Sequence, residues 1–283
     1  MRFVTVDSRV RLEVLDWGGV GRPVVFVGCY LTAHIYDDIA PKLIDRFHVY
    51  AVTRRGIGAS DHPAAGYDPE RRAADIFEVI DQLEMEKPIL VGNSCGGAIL
   101  HRLGADHADR IGGVMYLEAA EDPTLTMADY NLPPIDSLQL PPRGNFSPPS
   151  NCGFPEGERY QIDVWPLDPA MRKAIVEDYN VKPEYARIRV PVVAVYRTTP
   201  LEDVLKEYPP RNDQERAAVT RLYTTFGRAM LEKWEGDLRA GVPNAKIVEL
   251  PRACLYMFLS NPADVIRELR ALDDVLGRRS GTK

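Results

Sequence analysis

The chain has 283 residues and a formal charge of −6, with 45% hydrophobic and 27% charged residues, which is the composition of a globular protein with one large core. The acidic balance and the lack of a dense Lys/Arg block argue against nucleic acid as the main partner. No apolar run approaches the roughly 20 residues that cross a bilayer, and Asp7 precedes any apolar signal segment. Four widely spaced cysteines without a CxxC pair predict a cytoplasmic, reduced chain with neither metal nor cofactor.

Apolar β-rich runs alternate with helical ones along the chain. We predict strands near 2–6, 9–17, 23–27, 47–52, 88–91, 113–117, 192–196 and 245–250, and helices near 69–85, 98–105, 212–240 and 262–276. The short strand runs lack polar alternation, which is typical of strands buried on both faces. This order predicts an α/β fold with a mostly parallel eight-stranded sheet flanked by helices.

Residues 121–189 interrupt this alternation. They contain 11 of the chain's 23 prolines, many in pairs, together with several aromatic residues. A connection this long inside a compact domain is usually functional. We therefore expect a lid or cap insertion at 121–189, between the two parts of one core at 1–120 and 190–283.

The segment Gly92-Asn93-Ser94-Cys95-Gly96 follows a predicted strand and precedes a predicted helix. In that context the GxSxG pattern indicates a nucleophile elbow, a tight turn that lifts the Ser94 hydroxyl above the sheet edge. Small residues at 92 and 96 let the strand and helix backbones approach each other. By itself, the motif does not separate an elbow from a glycine-rich turn with an incidental serine.

A second motif, RGIGASDHP at 55–63, follows the strand at 47–52. With the elbow, it resembles the R-G-x-G-x-S-D-x-P segment of the α/β-hydrolase superfamily. The similarity is to the branch of epoxide hydrolases, haloalkane dehalogenases, cofactor-free haloperoxidases and small esterases, and it covers 1–120 and 190–277. It implies the α/β-hydrolase fold.

The resemblance also implies an oxyanion hole built from two backbone N–H groups. One belongs to the residue after the nucleophile, which is Cys95. The other comes from the loop after the third strand, where the family reads H-G-x and this chain reads Val27-Gly28-Cys29-Tyr30. Gly28 matches the glycine, so Cys29 is the expected second donor and Tyr30 is expected to lie at the site.

The histidine of the family's triad is missing. The family carries a segment like L-P-x-A-x-H-Y after the last strand, where this chain reads LPRACLY at 250–256, so Leu255 takes the histidine position beside Cys254. All five histidines lie at or before residue 107. A standard Ser-His-acid triad cannot be assembled. We interpret Cys29, Cys95 and Cys254, on loops that converge in this fold, as small apolar lining rather than reactive thiols.

Three side chains remain as candidate acids or bases. His34 lies close to Cys29 in the sequence, and it either reaches the pocket or satisfies a local hydrogen bond. Glu118 ends the strand at 113–117, where some lipase-like members place the acid. Asp203, or its neighbour Glu202, follows the strand at 192–196 at the usual position of the acid. An apolar pocket would raise the pKa of such a carboxyl group toward a useful range.

Three functions remain open. The first is an enzyme with a degenerate triad that converts a small apolar carbonyl compound by a non-hydrolytic or atypical reaction of the cyclisation, lyase or isomerase type. The second is a serine esterase or lactonase with an unconventional base. The third is a non-catalytic protein that binds a small molecule, similar to the gibberellin receptors of the superfamily. The sequence predicts no membrane partner and leaves monomer and homodimer open.

Overall fold

A computed structural model describes residues 1–29, 31–130, 180–207 and 209–280. These residues contain one sheet with the strand order β1-β2-β4-β3-β5-β6-β7-β8. The strands are β1 (Arg2–Val6), β2 (Val10–Gly18), β3 (Arg22–Val27), β4 (Phe47–Val52), β5 (Ile89–Asn93), β6 (Gly113–Leu117), β7 (Val192–Thr198) and β8 (Lys246–Pro251). β2 is antiparallel to β1 and β4, and all other neighbours are parallel. The predicted mostly parallel eight-stranded sheet is confirmed.

Seven helices of the described chain flank this sheet. They are α1 (Pro69–Gln82), α2 (Gly96–Asp106), α3 (Leu201–Glu207), α4 (Asp213–Leu222), α5 (Arg228–Gly241), α6 (Met257–Ser260) and α7 (Pro262–Ser280). Helix α1 begins after Asp68, whose side chain accepts a hydrogen bond from the backbone N–H of Arg71, as expected for an aspartate before an N-terminal proline. Helices α4 and α5 continue into each other through a π-helical turn at Tyr223–Gly227, so the single helix predicted over 212–240 contains one irregular turn.

The central strands are covered on both faces. Along β3, Val25 and Val27 belong to one apolar cluster, and Val24 and Phe26 belong to another on the opposite face. Apolar side chains of α1 cover the first face, and those of α7 cover the second. This double coverage explains why the strand sequences lack polar alternation. The parallel strands β3 to β8 end at a common edge, which is where sites form in open α/β sheets.

Two polar contacts hold α1 and α2 in place, and the first of them is buried. The guanidinium of Arg55 donates hydrogen bonds of 2.5 and 2.6 Å to the carboxylate of Asp75 on α1. The two side chains are only 1% and 3% exposed, so the RGIGASDHP segment is fixed to α1 through a buried ion pair. His101 on α2 lies with Nδ1 3.0 Å from the Tyr116 hydroxyl on β6, and burial lowers the pKa of His101 to about 3.

The predicted lid at 121–189 lies mostly outside the described residues, which include only 121–130 and 180–189 of it. Its first end contacts α5, because the Trp234 indole N–H donates a hydrogen bond of 3.0 Å to the Tyr130 hydroxyl. The described helices include none that combines the length and apolarity needed to span a membrane.

Candidate active site

Ser94 lies in the sharp turn between β5 and α2. Its φ of 49° is left-handed, a conformation that costs a residue other than glycine about 1–2 kcal/mol. Two main-chain hydrogen bonds hold the turn: Ser94 N–H donates to the Leu117 carbonyl at 3.3 Å, and Gly97 N–H donates to the Ser94 carbonyl at 2.9 Å. The side chain is half-buried, and its hydroxyl forms no hydrogen bond with any described residue. The strained strand-turn-helix geometry is that of a nucleophile elbow.

Glycines bring the start of α2 against the neighbouring loops. A Cβ on Gly96 would lie 2.4 Å from the Val27 carbonyl oxygen, and a Cβ on Gly97 would lie 1.9 Å from that of Ala119. A Cβ on Gly92 would lie 3.2 Å from the backbone carbon of Gly96. The close approach of strand and helix expected from the small residues at 92 and 96 is present, and it extends to the loops after β3 and β6.

Cys29 and Cys95 form a disulfide, with their Cα atoms 4.8 Å apart. Cys29 follows β3 and Cys95 follows Ser94, so the disulfide joins the two loops whose backbone N–H groups are the expected oxyanion donors. The expectation of reduced cysteines lining a pocket is wrong for this pair. The motifs held a signal for it, because two N–H groups directed at one oxygen bring their Cα atoms within disulfide reach.

Arg54, a buried residue that follows β4, lies beside this disulfide. Its Nη2 donates a hydrogen bond to the Cys29 carbonyl oxygen and lies 3.5 Å from the Cys95 Sγ. Neither of the family motifs singles out Arg54.

The segment that carries the histidine in the family lies next to the elbow. Asn93 Nδ2 donates to the backbone carbonyls of Leu117 and Leu255, at 3.0 Å each. The half-buried Leu255 is therefore tied to the residue that precedes Ser94. Cys254 is buried in the same segment, and its Sγ accepts a hydrogen bond of 3.2 Å from the Tyr256 N–H.

Gly28 and Tyr30 were also expected at the oxyanion loop, and only Gly28 is among the described residues. Gly28 lies between β3 and Cys29, where a Cβ would be 3.5 Å from the hydroxyl of Tyr36. Tyr30 lies outside the described residues.

Glu118 directly follows β6, with a left-handed φ of 49°. Its carboxylate accepts hydrogen bonds from the backbone N–H of Arg197 at 2.7 Å and from the Arg197 Nε at 3.2 Å. Burial raises the pKa of Glu118, and the positive charge of Arg197 offsets only part of that rise. Burial and the charge of Glu118 also raise the pKa of Glu121 to about 7. Glu121 is therefore partly protonated near neutral pH, and no sequence motif pointed to this residue.

His34 and Asp203 have partners other than Ser94. His34 Nδ1 lies 3.0 Å from the Asp37 carboxylate, and its Nε2 lies 3.6 Å from that of Glu13. Asp203 accepts hydrogen bonds from Lys206 Nζ at 3.0 Å and Arg252 Nε at 2.6 Å, which hold its pKa below the usual range.

The structure thus brings together four of the expected site residues, namely Ser94, Cys29, Cys95 and Leu255. His34 lies beside Asp37 and Glu13 instead, and Asp203 is held by Lys206 and Arg252. In the described part of the chain, no group of three or more His, Cys, Asp or Glu side chains is arranged to hold a metal ion.

Comparison with known proteins gives the family. The sequence profile of the alpha/beta hydrolase family matches residues 20–268. The chain is 31% identical over 152 residues to epoxide hydrolase A of Mycobacterium tuberculosis, a match that covers 50% of this chain and 42% of that protein. It is 31% identical over 111 residues to the 2-(acetamidomethylene)succinate hydrolase of Mesorhizobium japonicum, covering 39% of this chain and 40% of that protein. The matches therefore span less than half the length of these relatives.

Solved structures match over nearly the whole chain. The crystal structure of E-2-(acetamidomethylene)succinate hydrolase aligns with a TM-score of 0.63 at 20% identity, covering 96% of this chain and 100% of that one. The enol-lactonase from Burkholderia xenovorans LB400 aligns with a TM-score of 0.64 at 18% identity, covering 96% and 99%. These likenesses show the fold. Together with the family profile they confirm the resemblance carried by the elbow and the RGIGASDHP segment: the chain belongs to the alpha/beta hydrolase family.

Proposed function

We propose that this protein is an enzyme that polarises the carbonyl group of a small, largely apolar compound and converts it by a non-hydrolytic or atypical reaction, such as a cyclisation, an elimination or an isomerisation. The backbone N–H groups of Cys29 and Cys95 stabilise the negative charge that develops on the carbonyl oxygen. The Ser94 hydroxyl donates a hydrogen bond to the substrate or holds it in place. The segment at 121–189 excludes water from the pocket.

The observation that carries this proposal is the surroundings of the Ser94 hydroxyl. It is half-buried at a strained turn, it has no hydrogen-bond partner in the described chain, and the tethered backbone of Leu255 occupies the segment from which an imidazole would approach. Loss of one triad member costs a serine hydrolase about 10⁴- to 10⁶-fold in turnover. The proposed oxyanion donors are backbone groups and do not depend on that histidine. Stabilisation of charge on the carbonyl oxygen is therefore retained, although nucleophilic attack by Ser94 is lost.

A second candidate is a hydrolase with a carboxylate base. The pKa of Glu121, raised to about 7 by burial and by Glu118, favours it, because a general base works best when its pKa lies near the operating pH. The relatives named hydrolases and lactonases also favour it. In this case Glu121 or Glu118, acting directly or through a water molecule, would take the Ser94 proton.

A fluorophosphonate probe separates the two candidates. Intact mass is recorded after incubation of the wild type, Ser94→Ala and Glu121→Gln, while binding of a fluorescent dye reports that the pocket is open. The first candidate predicts no covalent adduct on the wild type, although it remains folded and binds the dye. Rapid labelling of the wild type that is lost in both variants would establish the hydrolase.

A carbonyl panel in ¹⁸O-labelled water provides the complementary readout. Lactones, enol esters and β-dicarbonyl compounds are incubated with the protein, and products are analysed by mass. The first candidate predicts conversion without ¹⁸O incorporation, reduced in Ser94→Ala. Incorporation of one ¹⁸O atom per turnover would contradict it.

A further inference from the structure

The disulfide between Cys29 and Cys95 lies where the proposed chemistry takes place, not at a distant loop. It joins the loop after β3 to the residue that follows Ser94, at the common edge of the parallel strands. Both cysteines are 6% exposed, whereas Cys254 in the neighbouring segment is 1% exposed. A ligand that reaches the half-buried Ser94 therefore comes next to the disulfide.

The sheet holds the two loops together without the disulfide. β3 and β5 are directly paired, with Val27 opposite Gly92. Val27 lies two residues before Cys29, and Gly92 lies three residues before Cys95. Gly96 also packs on the Val27 carbonyl oxygen. Opening the disulfide therefore leaves the two sulfurs near each other in a folded chain, which makes the bond reversible within the native state.

Arg54 makes the two sulfurs chemically unequal. Its guanidinium lies 3.5 Å from the Cys95 Sγ and is hydrogen-bonded to the carbonyl oxygen, not the sulfur, of Cys29. A cation beside a sulfur stabilises the thiolate, and a stabilised thiolate is the better leaving group in thiol–disulfide exchange. The asymmetry makes Cys29 the sulfur that an incoming thiolate attacks and Cys95 the sulfur that leaves.

We propose that Cys29–Cys95 is a thiol–disulfide exchange site whose reactant is a small dithiol or monothiol reductant, with Cys29 as the attacked sulfur and Cys95 as the leaving sulfur. The inference does not depend on which reaction Ser94 supports. It assigns a redox chemistry to two residues whose side chains take no part in binding an oxyanion.

The exchange is balanced in two steps. A reductant thiolate attacks the Cys29 Sγ, the Cys29–Cys95 bond breaks, and the electron pair leaves with the Cys95 Sγ as a thiolate beside Arg54. The second thiol of a dithiol loses its proton and attacks the sulfur of the reductant bound to Cys29, which forms the reductant's own disulfide and releases the Cys29 thiolate. With a monothiol, a second molecule makes the second attack. In sum, the protein disulfide gains two electrons and becomes two thiolates, the reductant is oxidised to its disulfide, and the two protons lost by its thiols go to solvent, from which Cys29 is reprotonated.

The first test is regiochemistry. The oxidised wild type is incubated with excess reduced glutathione under native conditions, quenched with acid and digested, and mixed disulfides are mapped by mass. We expect glutathione on Cys29 in about tenfold excess over Cys95, because the leaving sulfur is the one stabilised by the cation. A predominance on Cys95, or a disulfide that opens only after the protein is unfolded, would overturn the proposal.

The second test concerns Arg54. The rate of reduction by dithiothreitol is followed in Arg54→Gln and Arg54→Lys. The matched control is Arg102→Gln, because Arg102 on α2 pairs with Glu70 on α1 and not with the disulfide. We expect a rate about tenfold lower in Arg54→Gln, with the lysine variant and the control close to the wild type. Near-ultraviolet circular dichroism reports folding. If Arg54→Gln does not fold, Arg54→Lys and the glutathione map still decide, since a lysine variant that maps to Cys95 contradicts the mechanism.

Discussion

Replacement of Leu255 by histidine is the sharpest perturbation of this site. Leu255 is half-buried, and its backbone carbonyl accepts a hydrogen bond of 3.0 Å from Asn93, the residue before Ser94. That tether fixes the backbone of position 255 whatever side chain it carries. An imidazole there is expected to approach the Ser94 hydroxyl and to accept its proton, which would create esterase activity.

The carboxylates near the site set the size of the gain. A positioned general base contributes about 10²- to 10⁴-fold to a rate. A triad also needs a carboxylate to orient the imidazole, and here Glu118 is engaged by Arg197 while Asp203 is engaged by Lys206 and Arg252. We therefore expect the lower end of the range, a rise of about 10²-fold in kcat/KM, which corresponds to about 2.7 kcal/mol of transition-state stabilisation.

The assay is hydrolysis of p-nitrophenyl acetate and butyrate as a function of pH. The gain in Leu255→His should appear as the pH rises through about 6.5, the ordinary pKa of histidine, and it should vanish in the double variant with Ser94→Ala. Leu259→His, a half-buried leucine in the adjoining helix, is the matched control and should gain nothing. A folded Leu255→His with no gain would refute the assignment of position 255. Rapid hydrolysis by the wild type would refute the claim that Ser94 lacks a base.

The other predictions concern stability, measured by urea unfolding. Gly97→Ala places a Cβ 1.9 Å from a backbone oxygen and should lower the free energy of unfolding by about 1–3 kcal/mol, whereas Gly236→Ala, in an open part of α5, should leave it unchanged or raise it slightly. Asp75→Asn leaves a buried guanidinium without its carboxylate and should cost about 3 kcal/mol, against about 0.5 kcal/mol for Asp81→Asn in an exposed pair; equal costs would contradict the assigned burial. His101 has a folded-state pKa of about 3, so below its unfolded pKa of about 6.5 the unfolded chain binds more protons. The free energy of unfolding should therefore fall by about 1–2 kcal/mol more between pH 7 and pH 5 in the wild type than in His101→Gln.

The fold was predictable because it depends on patterns that many residues share. Apolar β-rich runs identified the strands, and α1 was located by Asp68, Pro69 and its apolar stripe. The elbow was predictable for a related reason: a Cβ at position 96 would lie 2.4 Å from the Val27 carbonyl oxygen, and one at position 92 would lie 2.9 Å from the Leu100 side chain. A sequence pattern that is set by backbone geometry can be recognised in a single sequence.

The rest of the site depends on pairs of distant residues, which a single sequence does not reveal. Cys29 and Cys95 are separated by 66 residues, and the pairing of β3 with β5 brings their loops together. The partners of His34 and Asp203 were equally hidden, since these residues lie beside Asp37 and Arg252, respectively. Glu121 follows β6 without any motif, and its raised pKa arises from burial and from Glu118.

The same division between backbone and side chain limits the chemistry available to this site. In the proposed function, the N–H groups of Cys29 and Cys95 stabilise charge without exchanging protons. Proton transfer requires a titratable side chain, and the resemblance aligns Leu255 with the histidine that supplies one. Among the described residues, the half-buried carboxyl groups of Glu118 and Glu121 are the candidate proton acceptors, and the substrate itself is the alternative. Cyclisations and eliminations meet that condition when the substrate carries a basic oxygen near the acidic C–H. Ester hydrolysis needs a base on the protein, and Glu121, with a pKa of about 7, is the candidate that the described residues offer.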